Sequence, residues 1–150
     1  MKKKSRILAV DDEEAIAESI AYLLEAPHRT IAVAKDGKEA LALAAREKFD
    51  LIITDHRMPR AGGLELVRQL RQRKHVGKIV LISAYLSPDH IGAYEEMDVD
   101  EIVGKPFNSK ELREVHRETR KGNLELLRHQ PRMATTNSVS LFVRDRNCKN

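Results

Sequence analysis

The sequence predicts an α/β protein with a doubly wound, five-stranded parallel sheet that is covered by helices on both faces. Short apolar runs of strand length alternate with segments in which apolar residues recur at helical spacing, and this alternation occurs five times. The runs at residues 51–53 and 79–82 are uninterrupted, as in central parallel strands that are buried on both sides. Successive strand–helix–strand units of this kind are connected by right-handed crossovers.

The first half of the chain contains two strand–helix units. Residues 6–10 (RILAV) and 30–34 (TIAVA) are apolar runs of strand length. Between them, isoleucines and leucines recur at helical spacing until Pro27 ends the helix. The pair at residues 36–37 (DG) signals a turn, and the helix that follows has an apolar side of alanines and leucines and ends near Lys48.

Two further strands occupy the middle of the chain. Residues 50–54 form the third strand, and the helix that follows has Leu64, Val67 and Leu70 on one face. Residues 78–83 (KIVLIS) form the fourth strand.

The last two helices have recognisable starts. Ser87 and Pro88 suit the N-cap and the first position of a fourth helix. We expect this helix to be weak, because it contains a glycine and few apolar residues. Residues 101–107 (EIVGKPF) provide the fifth strand, and the fifth helix is capped by Asn108 or Ser109.

Chain length predicts one domain and an extension. A chain of 150 residues buries roughly two thirds of its unfolded surface on folding. We expect the domain over residues 5–121, and over residues 122–150 a continuation of the last helix and a flexible tail. The extension is too short for a second core, so we expect either a stand-alone domain or a piece of a longer protein.

Composition disfavours several classes of protein. The net charge of +4 is small, and the cations after residue 122 are scattered and are not interleaved with aromatic residues, so this segment is not expected to bind nucleic acid. The apolar runs are too short to cross a membrane or to form a signal peptide, so we expect a cytoplasmic protein. Cys148 is the only cysteine, which excludes an intrachain disulfide.

Polar residues follow the predicted strands at one edge of the sheet. They are Asp11 and Asp12 after the first strand, Asp55 after the third, Ser83 after the fourth and Lys105 after the fifth. Carboxyl ends of parallel strands share one edge, where such sheets bind ligands. Three carboxylates about 5 Å apart repel by several kcal/mol per pair at an effective dielectric of about 20. Lys105 offsets part of this charge, and Mg²⁺ is the simplest cation to offset the rest.

Each of these residues also has an ordinary structural explanation. Asp11 and Asp12 suit an acidic helix start, Asp55 suits a turn cap, and Ser83 is a common turn residue. The convergence of all of them on one edge favours a site.

Four motifs resemble those of a known family. They are VDDEE at 10–14, DHRMP at 55–59, ISA at 82–84 and KPF at 105–107. In this order and spacing, residues 5–121 resemble the CheY-like receiver domain of two-component response regulators. The resemblance implies a flavodoxin-like sheet with strand order 2-1-3-4-5 and a cis peptide at Lys105–Pro106.

The resemblance also implies the role of each site residue. Asp55 is the phosphoacceptor, and Lys105 and Ser83 contact the phosphoryl group. Asp11 or Asp12, with Asp55 and the backbone carbonyl of Arg57, holds Mg²⁺.

Signal output involves a further set of expectations. Motion of Ser83 towards a phosphoryl oxygen would pull the following loop and the weak fourth helix. The family's aromatic switch residue is replaced by Ile102. Arg57 and Tyr85 are expected to flank the site and to control access of water.

The face that phosphorylation alters is expected to comprise the fourth helix, fifth strand and fifth helix, including Tyr94, Lys110 and Arg113, and a homodimer would use it. The six histidines are expected at the surface, with the side chain of His56 pointing away from that of Asp55.

Three functions agree with these observations. The first is a signalling switch that takes a phosphoryl group from a sensor histidine kinase or a histidine phosphotransfer protein, acts on no diffusible substrate and signals to an unknown downstream protein. The second is a phosphorylation-independent interaction domain, which the replacement of the aromatic switch residue by Ile102 leaves open. The third is a Mg²⁺-dependent phosphatase with an aspartyl nucleophile. Arg57 argues against the third, because such phosphatases place an acid there.

Overall fold

The computed structural model describes residues 3–121 and 142–143. Within these residues, one sheet has six strands in the order β2-β1-β3-β4-β5-β6. The strands are β1 (Ser5–Val10), β2 (Arg29–Ala34), β3 (Leu51–Asp55), β4 (Lys78–Ser83), β5 (Glu101–Gly104) and β6 (Phe142–Val143). The helices are α1 (Glu14–Leu24), α2 (Gly37–Arg46), α3 (Gly63–Gln72), α4 (Pro88–Glu96) and α5 (Ser109–Lys121).

The predicted parallel sheet is confirmed. β1 to β5 are parallel and lie in the order 2-1-3-4-5. All residues of β3 and β4 are buried, as expected for central strands with helices on both faces. No helix in the described part of the chain combines the length and apolar character needed to cross a membrane.

Two clusters of buried apolar residues cover the two faces of the sheet. The first joins the sheet to α2, α3 and α4 through residues such as Leu41, Leu66 and Tyr94. The second joins it to α1 and α5 through residues such as Ile20 and Leu112. Both faces of the sheet are therefore closed, and its carboxyl edge is the place left for polar side chains.

Local signals placed the helix starts correctly. The Ser87 hydroxyl accepts a hydrogen bond from the backbone N–H of His90, which makes it the N-cap of α4. At α5, the Asn108 side chain accepts from the N–H of Glu111, and the Glu111 carboxylate accepts from the N–H of Asn108. This reciprocal capping box identifies Asn108, and not Ser109, as the cap.

A sixth strand was not predicted. Phe142–Val143 pairs antiparallel with β5, opposite Ile102 and Glu101. A two-residue strand is too short to show an alternating pattern of apolar and polar residues. Its formation depends on the exposed edge of β5, which is distant in sequence. The predicted helix extension and flexible tail otherwise lie outside the described residues.

Two expectations about side chains were wrong. Tyr94, assigned to the signalling surface, is fully buried (0% exposed), because its ring fills the space between α4 and the sheet. Lys110 and Arg113 are exposed, as expected. The histidines with described side chains were expected at the surface, but all of them are partly buried: His28, His56, His75 and His90.

Candidate functional site

Strand register brings the predicted site residues together. Val10 at the end of β1 lies beside Thr54 of β3, so Asp11 follows directly beside Asp55. On the other side, Ser83 of β4 pairs with Gly104 of β5, the residue before Lys105. The strand ends therefore deliver all five polar residues to one edge, as expected from the sequence.

Three carboxylates form a cluster there. Asp11, Asp12 and Asp55 each offer one oxygen, and these oxygens lie within 4.8 Å of one another. Asp11 (1% exposed) and Asp55 (8% exposed) are buried, whereas Asp12 is exposed. Asp11 Oδ1 also accepts a hydrogen bond of 2.9 Å from the backbone N–H of Glu13, which fixes its orientation.

Lys105 bridges the two buried carboxylates. Its Nζ lies 3.2 Å from Asp55 Oδ1 and 3.3 Å from Asp11 Oδ2. Burial lowers the pKa of Lys105, but the charges of Asp55 and Asp11 more than offset this, so its pKa is raised. The ammonium is therefore charged at neutral pH. The peptide bond from Lys105 to Pro106 is cis, as the resemblance implied.

One lysine does not compensate the cluster. Burial raises the pKa of Asp11 and of Asp55, and the opposing effect of Lys105 is smaller in both cases. The buried anionic forms therefore remain unfavourable compared with the same groups in water. A hard divalent cation prefers carboxylate oxygens as ligands, so the donor set and its unbalanced charge fit Mg²⁺.

Ser83 is in place, but its hydroxyl already has partners. Ser83 Oγ donates to the carbonyl of Tyr85 at 2.8 Å and accepts from the N–H of Tyr85 at 3.3 Å. The loop after β4 is thus folded back onto Ser83.

A cavity of about 340 Å³ opens above the cluster. Arg57 and Tyr85 line it, and both side chains are exposed, Tyr85 to 68%. The complete lining is Asp12, Glu13, Asp55, Arg57, Ser83, Ala84, Tyr85 and Lys105. The cavity connects Asp55 to solvent.

The residue at the expected switch position, Ile102, is apolar and lies in the core. Ile102 is buried (6% exposed) in β5 and packs in the same apolar cluster as Tyr94. Its aliphatic side chain has no hydrogen-bonding group to exchange between buried and exposed states.

Sequence reasoning missed a polar contact on the opposite face of β3. The Tyr94 hydroxyl lies 2.6 Å from Nδ1 of His56. As expected, His56 points away from Asp55, because successive side chains of a strand alternate between its faces. The available signal was a histidine next to an acid at a strand end, together with a tyrosine among the apolar positions of the fourth helix.

Chemically, the site combines a carboxylate nucleophile, Asp55, with a neighbouring cation, Lys105, at the base of the cavity. Asp55 faces the cavity, and Lys105 lies beside the oxygen at which negative charge would accumulate in an attack on phosphorus. The arrangement suits transfer of a phosphoryl group to a carboxylate.

Comparison with known proteins gives a consistent result. The sequence profile of the response regulator receiver domain matches residues 7–117. The alkaline phosphatase synthesis transcriptional regulatory protein PhoP of Bacillus subtilis is 38% identical over 112 residues, 75% of this chain and 46% of that protein. Response regulator MprA of Mycobacterium leprae is 38% identical over 107 residues, 71% of this chain and 47% of that protein. The chain thus spans less than half the length of these curated relatives.

Solved structures of receiver domains have the same fold as this chain. The CheY-like receiver domain protein of Methanospirillum hungatei JF-1 superimposes with a TM-score of 0.76 at 27% identity, covering 83% of this chain and 99% of that one. Chemotaxis protein CheY4 of Vibrio cholerae superimposes with a TM-score of 0.72 at 29% identity, covering 77% of this chain and 98% of that one.

Proposed function

This chain belongs to the response regulator receiver domain family of two-component systems, and on that premise we propose that Asp55 accepts a phosphoryl group. The observation that carries the proposal is the buried Asp55 carboxylate, 3.2 Å from Lys105 and within 4.8 Å of two further carboxylates. The chain is a signalling domain rather than a conventional enzyme, and its transfer chemistry serves only its own modification.

The phosphodonor is the phosphohistidine of a sensor histidine kinase or of a histidine phosphotransfer protein. An oxygen of Asp55 attacks phosphorus, so an O–P bond forms while the P–N bond of the donor breaks. The electron pair of that bond goes to the imidazole nitrogen. The ring leaves as neutral imidazole if its other nitrogen carries a proton, and otherwise it takes a proton from solvent. Lys105 offsets negative charge on the phosphoryl oxygens as the group is transferred.

Mg²⁺ would be held by Asp11, Asp12 and Asp55, with the backbone carbonyl of Arg57 as the fourth protein ligand that the resemblance implies. When bound, the ion supplies the positive charge that offsets the carboxylates and the incoming phosphoryl oxygens. Support comes from the oxygen donors of this chain and from the raised pKa of both buried aspartates.

Signal output starts at Ser83. An aspartyl phosphate adds close to two negative charges and strong acceptor oxygens. The Ser83 hydroxyl, which now donates to Tyr85, would turn to one of those oxygens and release the loop that leads into α4. We propose that the surface of α4, β5 and α5, including Lys110 and Arg113, then changes its affinity for a downstream protein or for a second copy of the chain.

Mass spectrometry of the chain after incubation with acetyl phosphate and Mg²⁺ tests the phosphoacceptor. We expect a single phosphoryl adduct that maps to Asp55 and is absent after chelation of the metal. Asp55→Asn should abolish it, whereas Asp89→Asn, a matched change at an exposed aspartate of α4, should not. A wild-type chain that takes up no phosphoryl group would refute the proposal.

A phosphorylation-independent interaction domain is the second candidate, and the aliphatic Ile102 at the switch position is the observation that favours it. Partner binding that is identical for wild type and Asp55→Asn would support this candidate. An aspartyl-nucleophile phosphatase is the least supported candidate, because such enzymes need a second acid at the position that Arg57 occupies.

A further inference from the structure

A hydrogen bond joins the strand end that carries Asp55 to α4. The Tyr94 hydroxyl lies 2.6 Å from Nδ1 of His56, and the His56 ring packs against the ring of His90 with 4.5 Å between centroids. His90 and Tyr94 both belong to α4, so the helix contacts the residue after Asp55 twice.

Tyr94 is the most deeply buried contact of α4 with the core, and Ile91 of the same helix packs against that core from a partly buried position. Among the residues of this helix, all of which the structure describes, Tyr94 alone is buried. Its hydroxyl occupies space left by Gly63, since a Cβ at Gly63 would lie 2.7 Å from it. A helix with a single buried residue has few buried contacts, so its local stability depends strongly on that residue.

The charge of Asp55 reaches this attachment. Burial raises the pKa of Tyr94 well above its ordinary value, and the negative charge of Asp55 raises it further. The phenol therefore stays protonated and available for the hydrogen bond. A phosphoryl group on Asp55 would add negative charge at the same strand end and would act on the phenol in the same direction, so the phenol stays protonated in both states.

We infer that the Tyr94–His56 hydrogen bond anchors α4 in the unphosphorylated chain, and that phosphorylation of Asp55 loosens this anchor by releasing the Ser83–Tyr85 contact in the loop that leads into α4. Tyr94 thereby performs from α4 the positioning role that the aliphatic Ile102 cannot perform from β5. The inference rests on the proposed phosphorylation of Asp55, and it identifies the residues through which that event reaches the signalling surface.

Hydrogen–deuterium exchange of peptides covering residues 87–97 tests the anchor. In the unphosphorylated chain, Tyr94→Phe should speed exchange there about three- to tenfold, the change expected for the loss of one buried hydrogen bond. Acetyl phosphate with Mg²⁺ should speed exchange of wild type and add little in the variant. Tyr22→Phe, which removes the same hydroxyl from an exposed tyrosine of α1 (77% exposed), should behave as wild type.

Variants at the other partner separate hydrogen bonding from packing. His56→Asn places an amide near the position of Nδ1 and should preserve most of the phosphorylation-dependent change in α4. His56→Leu fills similar space without a polar atom, so it should show the raised basal exchange of Tyr94→Phe.

The outcomes separate this inference from the proposed function. Basal exchange in Tyr94→Phe equal to that of wild type overturns the anchor, whether or not Asp55 is phosphorylated. A phosphorylated Tyr94→Phe chain whose α4 responds as strongly as wild type overturns the coupling. Absence of the adduct on wild type refutes the proposed phosphorylation, while the basal rates still decide whether the anchor exists.

Discussion

Asp55→Asn should stabilise the metal-free chain, although it destroys the proposed site. At an effective dielectric of about 20, the attraction between Asp55 and Lys105 at 3.2 Å is worth about 5 kcal/mol. The Asp11 and Asp55 oxygens lie within 4.8 Å of each other, so their repulsion cancels at least about 3.5 kcal/mol of this attraction. A net attraction of at most about 1.5 kcal/mol therefore opposes a burial cost of several kcal/mol per ion.

The raised pKa of Asp55 shows that burial prevails in this balance. We therefore expect Asp55→Asn to raise the free energy of unfolding by about 1–2 kcal/mol in a chelator at pH 7. Urea unfolding of both proteins, followed by circular dichroism, measures the difference. Saturating Mg²⁺ should reverse the order, because an ion at 100 times its Kd stabilises wild type by about 2.7 kcal/mol.

The same comparison has a pH dependence of known sign. A carboxyl group with a raised pKa in the folded state binds its proton more tightly after folding, so wild type recovers stability as the pH falls through the folded-state pKa. The advantage of Asp55→Asn should therefore be constant above the folded-state pKa of Asp55 and shrink below it, as the pH approaches the ordinary pKa of 3.8. If Asp55→Asn is less stable than wild type in chelator at pH 7, the charge balance described for this site is wrong.

Lys105→Met should slow phosphorylation by acetyl phosphate about 10- to 100-fold, the effect of losing one charge-assisted hydrogen bond, as followed by intact mass. Retention of the full rate would remove Lys105 from the transfer step. Gly63→Ala should destabilise the chain by about 1–3 kcal/mol, because its Cβ would meet backbone and a buried hydroxyl at 2.7 Å. Gly92→Ala, at a helical position with nothing within 4 Å, should instead stabilise the chain by about 0.5–1 kcal/mol. Equal unfolding midpoints for the two variants would contradict the close packing of Gly63 against the Tyr94 hydroxyl. Arg57→Ala and Tyr85→Ala should each shorten the half-life of the aspartyl phosphate by opening the cavity to water, and unchanged half-lives would exclude both side chains from that role.

Features that depend on neighbours in sequence were predictable. Ser87 and Asn108 cap helices that begin directly after them, so a short motif contains both donor and acceptor. The site was predictable for a related reason. Parallel strands of similar length end at one edge, so reading the residue after each strand was sufficient to assemble Asp11, Asp55 and Lys105.

Features decided by distant contacts were not predictable. Tyrosine has an apolar ring and a polar tip, so helical spacing alone does not determine whether Tyr94 faces solvent or the sheet. The answer depends on His56, 38 positions earlier, and on the space left by Gly63. The pairing of Phe142–Val143 with β5 likewise depends on an edge that becomes available only after the sheet has formed.

The double hydrogen bond between Ser83 and Tyr85 has a consequence for the sensitivity of the switch. If the hydroxyl turns to a phosphoryl oxygen, it exchanges one acceptor for another and never becomes unpaired. The Tyr85 carbonyl lies in an exposed loop, where water can replace the serine. The two arrangements of the loop therefore differ little in energy before the phosphoryl charge is counted, so a modest electrostatic preference is sufficient to change which arrangement predominates.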